Sequence, residues 1–352
     1  MKSNTRSVSR LVVVLGGAAA VVLAVSSCAG SPGPAAESGG PITFASNGGA
    51  LQEAQSAAYI DAFLADNPQY EVLEDTGSTD YAKFQAQVES GNVLWDVADI
   101  GGDFGAHDPA AYFEPIDCAV VECPADGDGY RIPTHQYGAI LAYNPDAVDT
   151  APTGWEDFFD LEKFPGKRAI FQLAAATGIF EAALLADGVA PEDLYPLDYE
   201  RALAKYDTIK SEIVWAPSPT DAARLVADGE AVMGNVFSSQ AYNMSKNGSP
   251  VEIVWEGVGL GIDYLVIPKG ARNVEGANAL IGFITSAEHN HRMSEIYPVA
   301  PGNPDAVVSE DAETYPFLPT ADKADESYIF DGPWYAENLD AYTERFTAWL
   351  QE

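Results

Sequence analysis

Apolar and polar positions alternate along the chain with two different periods, beginning at about residue 41. Short runs rich in β-branched residues predict strands, and stretches with an apolar residue every three or four positions predict helices between them. This alternation favours an α/β fold with largely parallel sheets. The predicted strands are Ile42–Ser46, Tyr70–Asp75, Trp95–Ile100, Ile140–Asn144, Arg168–Gln172, Glu212–Trp215, Ala231–Phe237, Val251–Trp255 and Tyr264–Pro268.

Two of the predicted helices have ends that the sequence marks. The first covers Leu51–Ala65 and is stopped by Pro68, since proline cannot continue a helix. For the second, Ser78 can accept a hydrogen bond from the first turn, and Gly91 stands just past the end, where glycine adopts the left-handed conformation most easily.

The first 28 residues have the pattern of an export signal. Lys2, Arg6 and Arg10 precede the apolar run Leu11–Val25, which small residues connect to Cys28. A bilayer span needs about 20 apolar residues, so this run is too short for one and suits a signal peptide. The ending resembles a bacterial lipobox, in which the cysteine is lipidated and becomes the first residue of the mature protein. The alternative is an ordinary signal peptide with an incidental cysteine.

The segment after the signal peptide has the composition of a linker. We expect residues 1–27 to be the lipoprotein signal peptide and residues 28–40 to be a flexible tether, because small residues, Pro, Gly and Ser cannot form a core. About 310 residues remain, which suits two lobes better than one compact core. No linker-like composition separates such lobes, so strands are expected to connect them.

The charge balance restricts the class of partner. The chain has 53 acidic and 18 basic residues, for a formal net charge of −35. Nucleic acids and anionic lipid surfaces are bound through Lys and Arg, so this balance argues against both. It permits a cationic ligand, although most of these carboxylates are expected to be solvated at the surface.

Two cysteines remain after the signal peptide, Cys118 and Cys123. In an exported protein we expect them to form a disulfide that acts as a structural staple. A metal site would require further ligands close by, and no histidine lies between or beside them. The sequence predicts neither a metal nor a cofactor.

The sequence lacks the common signatures of enzymes. It contains no Gly-x-Ser-x-Gly elbow, no His-Glu-x-x-His motif and no glycine-rich phosphate loop. His289 and His291 lie two residues apart on a predicted helix and therefore face different sides. We expect the protein not to be an enzyme; a secreted hydrolase and a purely structural lipoprotein are the remote alternatives.

Several stretches resemble, in order and spacing, the extracellular solute-binding proteins of ABC transporters, in the branch that includes the spermidine/putrescine binders. Each motif alone is weak, but together they cover nearly the whole mature chain. They are ITFASNGGALQEA, WDVADIGGDF, FEPID, YGAILAYNPD, TGWEDFFDLEKFPGKRAIF, ADGEAVMGNVFSSQAY, GIDYLVIPKGARNVEGANALIGFI, EIYPVAPGNP and WYAENLDAYTERFTAWL.

The resemblance implies a type II fold of the periplasmic-binding-protein kind, with a ligand cleft between two α/β lobes. It places the hinge crossings near Gly138–Tyr143 and Gly261–Val266. The implied divisions are 41–139 with 265–318 for lobe 1, 140–264 for lobe 2 and 319–352 for a C-terminal helical tail.

The resemblance also implies which residues face the ligand. Asp263, at a hinge, matches an acidic position that pairs with a ligand ammonium, and a buried carboxylate needs such a partner. Either Asp103 or its neighbour Phe104 is expected in the cleft. Phe237 and Tyr297 match cleft aromatics that stack on the ligand or its cation.

The chain departs from the polyamine binders at three sites. Those binders have acidic residues after the first strand, where this chain has Asn47 and Gly48, and before a helix of the second lobe, where this chain has Thr177. At the third site, Gly261 replaces a cleft aromatic. Gly48 and Thr177 instead precede predicted helices, whose free N–H groups favour an anion. An extended polyamine would find fewer partners, which leaves room for a ligand with an amine and an acid.

The expected function is therefore capture of a small amine-bearing solute of polyamine or diamine type, and its delivery to an ABC permease and ATPase. The alternatives are a zwitterionic amino compound resembling γ-aminobutyrate (GABA) or another small organic solute. We expect a monomer that is held to the outer face of the cell membrane through a lipid on Cys28 and has no nucleic-acid partner.

Overall fold

The computed structural model describes residues 40–171, 176–320, 323 and 327–351. The predicted signal peptide, Cys28 and all of the tether except Gly40 lie outside the described residues. In the described part of the chain, none of the helices combines the length and apolar character that a membrane span requires.

The described residues contain eleven strands and twelve α-helices. The strands are β1 Ile42–Ser46, β2 Val72–Thr76, β3 Val97–Gly101, β4 Phe113–Glu114, β5 Arg131–Tyr143, β6 Arg168–Phe171, β7 Ile213–Ala216, β8 Met233–Phe237, β9 Glu252–Pro268, β10 Ala300–Pro301 and β11 Tyr328–Ile329. The helices are α1 Gly49–Gln55, α2 Asp61–Asp66, α3 Tyr81–Ser90, α4 Pro109–Tyr112, α5 Trp155–Phe159, α6 Ile179–Ala186, α7 Tyr199–Asp207, α8 Pro219–Ala227, α9 Ser238–Lys246, α10 Val274–Thr285, α11 His291–Ser294 and α12 Gly332–Gln351. A π-helical turn, Ser56–Ile60, joins α1 to α2.

One sheet runs through the protein in the order β2-β1-β3-β9-β5-β8-β6-β7. Its two ends are parallel, as predicted: β1 pairs with β2 and β3, and β6 pairs with β7 and β8. Its centre is antiparallel, because β9 runs opposite to β3 and β5, and β5 runs opposite to β8. The prediction of a largely parallel sheet is therefore wrong at the centre, where two long strands replace the expected short ones.

The two long strands were predicted only in part. The expected strands Val251–Trp255 and Tyr264–Pro268 are the two ends of β9, and the glycine-rich stretch between them continues the strand. Ile140–Asn144 covers only the last part of β5. Glycine lowers the strand propensity of a segment without forbidding the extended conformation. The sequence pattern therefore predicts two short strands where the structure has the single strand β9.

The ends of α3 illustrate a smaller correction. The helix is capped by Asp80, whose carboxylate accepts a hydrogen bond from the Lys83 N–H at 3.1 Å, and not by Ser78. Gly91 ends the helix with φ 66°, as its position predicts. Both Ser and Asp are good caps, and the structure uses Asp80, two residues after the predicted Ser78.

The sheet supports two lobes, which confirms the predicted two-lobed α/β class. We call β1–β3 with α1–α3 and α10 the first lobe, and β6–β8 with α5–α9 the second lobe. Buried apolar clusters fill each of them, and the long strands β5 and β9 extend through both. The residue boundaries given for the lobes above stay a prediction.

The C-terminal helix α12 packs on the second lobe through its aromatic side chains. Tyr342 meets Phe180 with ring centroids 4.7 Å apart, and Phe346 meets Trp215 at 5.5 Å. In the first lobe, a disulfide joins Cys118 to Cys123, with their Cα atoms 5.4 Å apart.

Candidate ligand-binding cleft

A cleft of about 1440 Å³ lies between the two lobes. This volume exceeds the 300 to 1,000 Å³ or so that is usual for small-molecule sites. Its walls come from both lobes and from the two long strands. The lining residues important here are Asp103, Arg131, His135, Tyr137, Phe237 and Asp263.

Asp263, the principal site residue predicted from the sequence, lies at this cleft beside an imidazole. Its backbone pairs with Gly101 on β3 and with His135 on β5. His135 Nε2 lies 3.2 Å from Asp263 Oδ2, and the side chains are 2% and 14% exposed. The register between β5 and β9 slips between Pro133 and His135, and such a bulge re-aims the side chain that follows it.

Buried polar groups continue from His135 into the first lobe. Asp99 on β3 is fully buried, and its Oδ2 accepts a hydrogen bond of 2.5 Å from Gln55 Nε2. Gln55 Oε1 accepts one of 2.5 Å from Ser46 Oγ. One donor atom from each of Asp99, His135 and Asp263 lies within 4.8 Å of the other two. This cluster therefore has the residue types and the spacing to hold a positively charged group.

The ionisable groups of this cluster have shifted pKa values. Burial raises the pKa of Asp99 to about 7, although the nearby His135 acts to lower it. Burial by itself lowers the pKa of His135, but the hydrogen bond and charge of Asp263 more than offset this, so that the net shift is upward. The cluster therefore retains a proton into the neutral pH range.

Asp103 lines the cleft on the first-lobe side. Tyr81 Oη donates a hydrogen bond of 3.1 Å to Asp103 Oδ1, and burial raises the pKa of this carboxylate. Phe104, the other candidate at this position, is only 7% exposed and stacks behind Tyr81 with ring centroids 4.3 Å apart. The expectation that Phe104 faces the cleft is therefore corrected: its apolar ring packs in the core and supports Tyr81.

Tyr137 provides the aromatic surface at the centre of the cleft. It lies directly opposite Gly261 across β5 and β9, and its ring occupies the space that a Cβ at position 261 would need. Phe237, predicted as a cleft aromatic, lines the cleft and meets Tyr137 edge to face at 5.2 Å. Tyr137 thus fills the space where the resemblance leads us to expect a side chain from position 261.

Acidic side chains act on the Tyr137 hydroxyl. Burial is the main reason that the pKa of its hydroxyl lies well above the ordinary value, and the charges of Asp263, Asp103 and Glu181 raise it further. Tyr137 therefore lies among acidic side chains, an environment that favours a cation.

Arg131 is a cation in the wall of the cleft. Its Nε donates to Asp128 Oδ2 at 2.6 Å, and its Nη1 donates to the Gly102 carbonyl at 3.0 Å. The guanidinium lies over the Tyr264 ring, 5.0 Å from the centroid. These contacts fix its orientation while using only part of its five-donor capacity.

Glu181 on α6 holds two tyrosines of the second-lobe wall. Its Oε1 accepts hydrogen bonds from Tyr195 Oη at 2.7 Å and from Tyr335 Oη at 2.6 Å. Burial raises the pKa of Glu181. Both tyrosines line the cleft, so this buried carboxylate determines the direction in which their hydroxyl oxygens point.

The predicted donor-rich start of the first helix is partly occupied. Gly48 N–H donates to Gln52 Oε1 at 3.0 Å, so one N–H expected to be free is bound within the helix. Asn47 lines the cleft, and its Oδ1 accepts a hydrogen bond of 2.6 Å from Thr79 Oγ1. Asn47 is in position to meet a ligand, whereas Gly48 is a structural turn with φ 74°.

Of the two remaining predicted residues, one lines the cleft and the other is buried. Tyr297 lines the cleft. Thr177 is buried, and it lies beside Tyr342 of α12, so its side chain faces that helix. The aromatic side chains of α12 cover the start of α6. A local sequence pattern does not predict this contact. Residues 174 and 175 lie outside the described part of the chain.

Sequence reasoning missed His135, Arg131 and Tyr137, all on β5. Pro133 stands among them, and proline within a run argues against a central strand, so no strand was predicted there. The available signal was the cluster of charged and aromatic residues immediately before the predicted strand Ile140–Asn144.

Two α/β lobes that share continuous central strands enclose a polar and aromatic cleft that is suited to holding a small solute. The chain belongs to the bacterial extracellular solute-binding protein family, whose model matches residues 58–320. This places the protein outside the cytoplasm as the solute-binding component of an ABC transporter.

Individual relatives match between about half and nine tenths of the chain. The GABA-binding protein of Pseudomonas aeruginosa is 29% identical, over 88% of this chain and 90% of its own. The spermidine/putrescine-binding periplasmic protein of Salmonella typhimurium is 27% identical, over 52% of this chain and 53% of its own. A solved GABA receptor is 35% identical with a TM-score of 0.79, covering 88% of this chain and 97% of that one.

Proposed function

We propose that this protein captures a small amine-bearing solute, with the solute's ammonium group between Asp103 and Asp263 and beside the Tyr137 hydroxyl. The observation that carries this proposal is that Asp103, Asp263 and Tyr137 line one cleft. Gly101 lies next to Asp103 Oδ1 and pairs with Asp263 across β3 and β9, so the two carboxylates are held near each other. A cation there would offset the cost of holding them in a partly dry cleft.

Among amines, a zwitterion of the GABA type fits this cleft best. Arg131 presents a fixed guanidinium in the wall, and guanidinium groups bind carboxylates with directed hydrogen bonds. The GABA-binding relatives match 88% of the chain, whereas the Salmonella spermidine/putrescine binder matches 52%. A short diamine is the second candidate, favoured by the presence of two cleft carboxylates, Asp103 and Asp263.

The cellular arrangement we propose follows from the N-terminal pattern. Residues 1–27 are removed as a signal peptide, Cys28 carries the lipid, and the tether leaves a monomeric receptor free to close on its solute and dock on a permease that works with an ATPase. Two or more acyl chains are needed for a stable anchor, since a single chain binds only marginally. Globomycin-sensitive processing and incorporation of labelled palmitate, both lost in Cys28→Ala, would support the anchor. Unchanged labelling of Cys28→Ala would exclude it.

A thermal-shift screen tests the proposed ligand class. The purified protein is heated with GABA, putrescine, spermidine, α-amino acids and sugars at matched concentrations. A true ligand raises the melting temperature, because it stabilises the native state by RT ln(1 + [L]/Kd). A shift with a sugar and with none of the amines would exclude the amine proposal.

A further inference from the structure

Asp99 and His135 form a buried acid-base pair that the amine proposal does not use. Asp99 is fully buried, and His135 is 2% exposed. Within the described residues, Asp99 Oδ1 and His135 Nδ1 have no hydrogen-bond partner. A carboxylate and an imidazole buried this close together interact strongly, so Asp99 and His135 titrate as one unit beside Asp263.

The possible charge states of this unit have a simple order. With two protons, one on His135 and one on Asp99, the unit carries a charge of +1. With one proton it is neutral, whether the proton lies on the imidazole or on the carboxylate, and with none it carries a charge of −1. Each lost proton makes the unit a better partner for a cation, so the direction of the effect does not depend on which group holds the proton.

We propose that Asp99 and His135 are positioning residues of the amine site, and that binding of the solute's ammonium at Asp263 expels a proton from them. This inference rests on the proposed function. His135 orients Asp263 through the 3.2 Å contact, and Gln55 holds Asp99 behind it. In the empty cleft, the shared proton offsets the negative charge of the carboxylates. The arriving ammonium offsets that charge instead, and the proton leaves.

Other ionisable groups surround this pair. The other ionisable groups that act on the cluster are mainly tyrosines, whose pKa values are raised by burial and which stay neutral at physiological pH. Arg131 lies on the same strand as His135, and Asp128 accepts a hydrogen bond from its Nε. Asp103, whose pKa is also raised by burial, changes charge in the same direction. The tyrosines concerned are Tyr59, Tyr81, Tyr137, Tyr264 and Tyr297.

Calorimetry counts the expelled proton directly. GABA, or putrescine if GABA does not bind, is titrated into the protein at pH 6, 7 and 8. Each titration is run in two buffers of different ionisation enthalpy, with EDTA present so that no metal contributes. The ammonium of either probe titrates near pH 10, well outside this range. We expect release of up to one proton per ligand, with Kd falling by as much as tenfold per pH unit.

Two variants assign the proton to the pair. His135→Gln keeps an N–H donor for Asp263 but cannot titrate, and Asp99→Asn removes the second carboxylate. Each is expected to bind the probe with a Kd that changes much less with pH. His291→Gln, a histidine outside the cleft that lies near Glu295, is the matched control and should release protons as the wild type does.

The outcomes separate this inference from the proposed function. Binding of an amine with a pH-independent Kd and the same enthalpy in both buffers would overturn the inference and leave the amine receptor standing. Full proton release in both His135→Gln and Asp99→Asn would also overturn it. Absence of binding by every amine would instead overturn the proposed function.

Discussion

The ring of Tyr137 on one central strand occupies the space that any side chain at position 261 would need on the other. The two residues are directly opposite each other, so the absent Cβ of Gly261 leaves room for the Tyr137 ring. The resemblance to the polyamine binders leads us to expect an aromatic side chain at position 261, and in this protein Tyr137 on the opposite strand fills that space.

Gly261→Ala is predicted to destabilise the protein and to weaken ligand binding. The added Cβ would overlap the Tyr137 ring, and overpacking of this kind costs about 1 to 3 kcal/mol. Urea denaturation and calorimetry measure the two effects. In a Tyr137→Ala background the same substitution should cost much less stability. Additive costs in the double variant would show that the two residues do not compete for space.

Asp263→Asn is predicted to lower amine affinity by about 30-fold or more, since loss of one member of a close charge pair costs about 2 to 5 kcal/mol. Asp103→Asn should act in the same direction through the same ammonium. Calorimetry with the best amine from the screen measures both. Asp305→Asn, at an exposed position that is not among the residues lining the cleft, is the control and should bind as the wild type does. Unchanged affinity in Asp263→Asn would remove this residue from the site.

Asp99→Asn is predicted to make the unliganded protein more stable at high pH. The pKa of Asp99 is raised from 3.8 to about 7 in the native state, so the native state is increasingly penalised as pH rises through this range. Removing the charge should stabilise the protein by up to about 4 kcal/mol at pH 8 and by little at pH 4. Urea denaturation of both proteins at pH 4, 6 and 8 measures the difference. A stability difference between the two proteins that becomes smaller as pH rises would contradict the upward shift of the Asp99 pKa.

Much of the fold followed from local patterns, and the site followed from them only in part. Ile42–Ser46 has the predicted bounds, because a strand bounded by turn residues is a local property. The resemblance led to Asp103, Asp263, Phe237 and Tyr297, which all line the cleft.

The parts that were missed depend on the pairing of distant segments. His135 reaches Asp263 through a register slip between β5 and β9, which no sequence period encodes. Gly261 acquires its role from the ring of Tyr137 on the opposite strand. Thr177 is buried by α12, a helix more than 150 positions further along the chain.

Trp349→Ala is predicted to destabilise the protein by about 3 to 5 kcal/mol, as expected for loss of a buried aromatic. Its ring is 2% exposed, its Nε1 donates to Asp207 at 2.8 Å, and Lys210 Nζ lies 4.2 Å from the ring centroid. The neighbouring Leu350 is 42% exposed, so Leu350→Ala should change stability by less than about 0.5 kcal/mol. Equal effects of the two substitutions, measured by urea denaturation, would show that α12 does not dock through its aromatic face.

The most direct test of the central claim compares GABA with butyrate, which has the same carbon chain and carboxylate but no amine. Isothermal titration calorimetry at pH 8 is run with each compound and with putrescine, at ligand concentrations up to about 1 mM, the range of weak binding. We predict saturable binding of GABA or putrescine and no measurable binding of butyrate. Binding of butyrate as tight as that of GABA, or no binding of either amine, would contradict the claim that this cleft is built for an ammonium group.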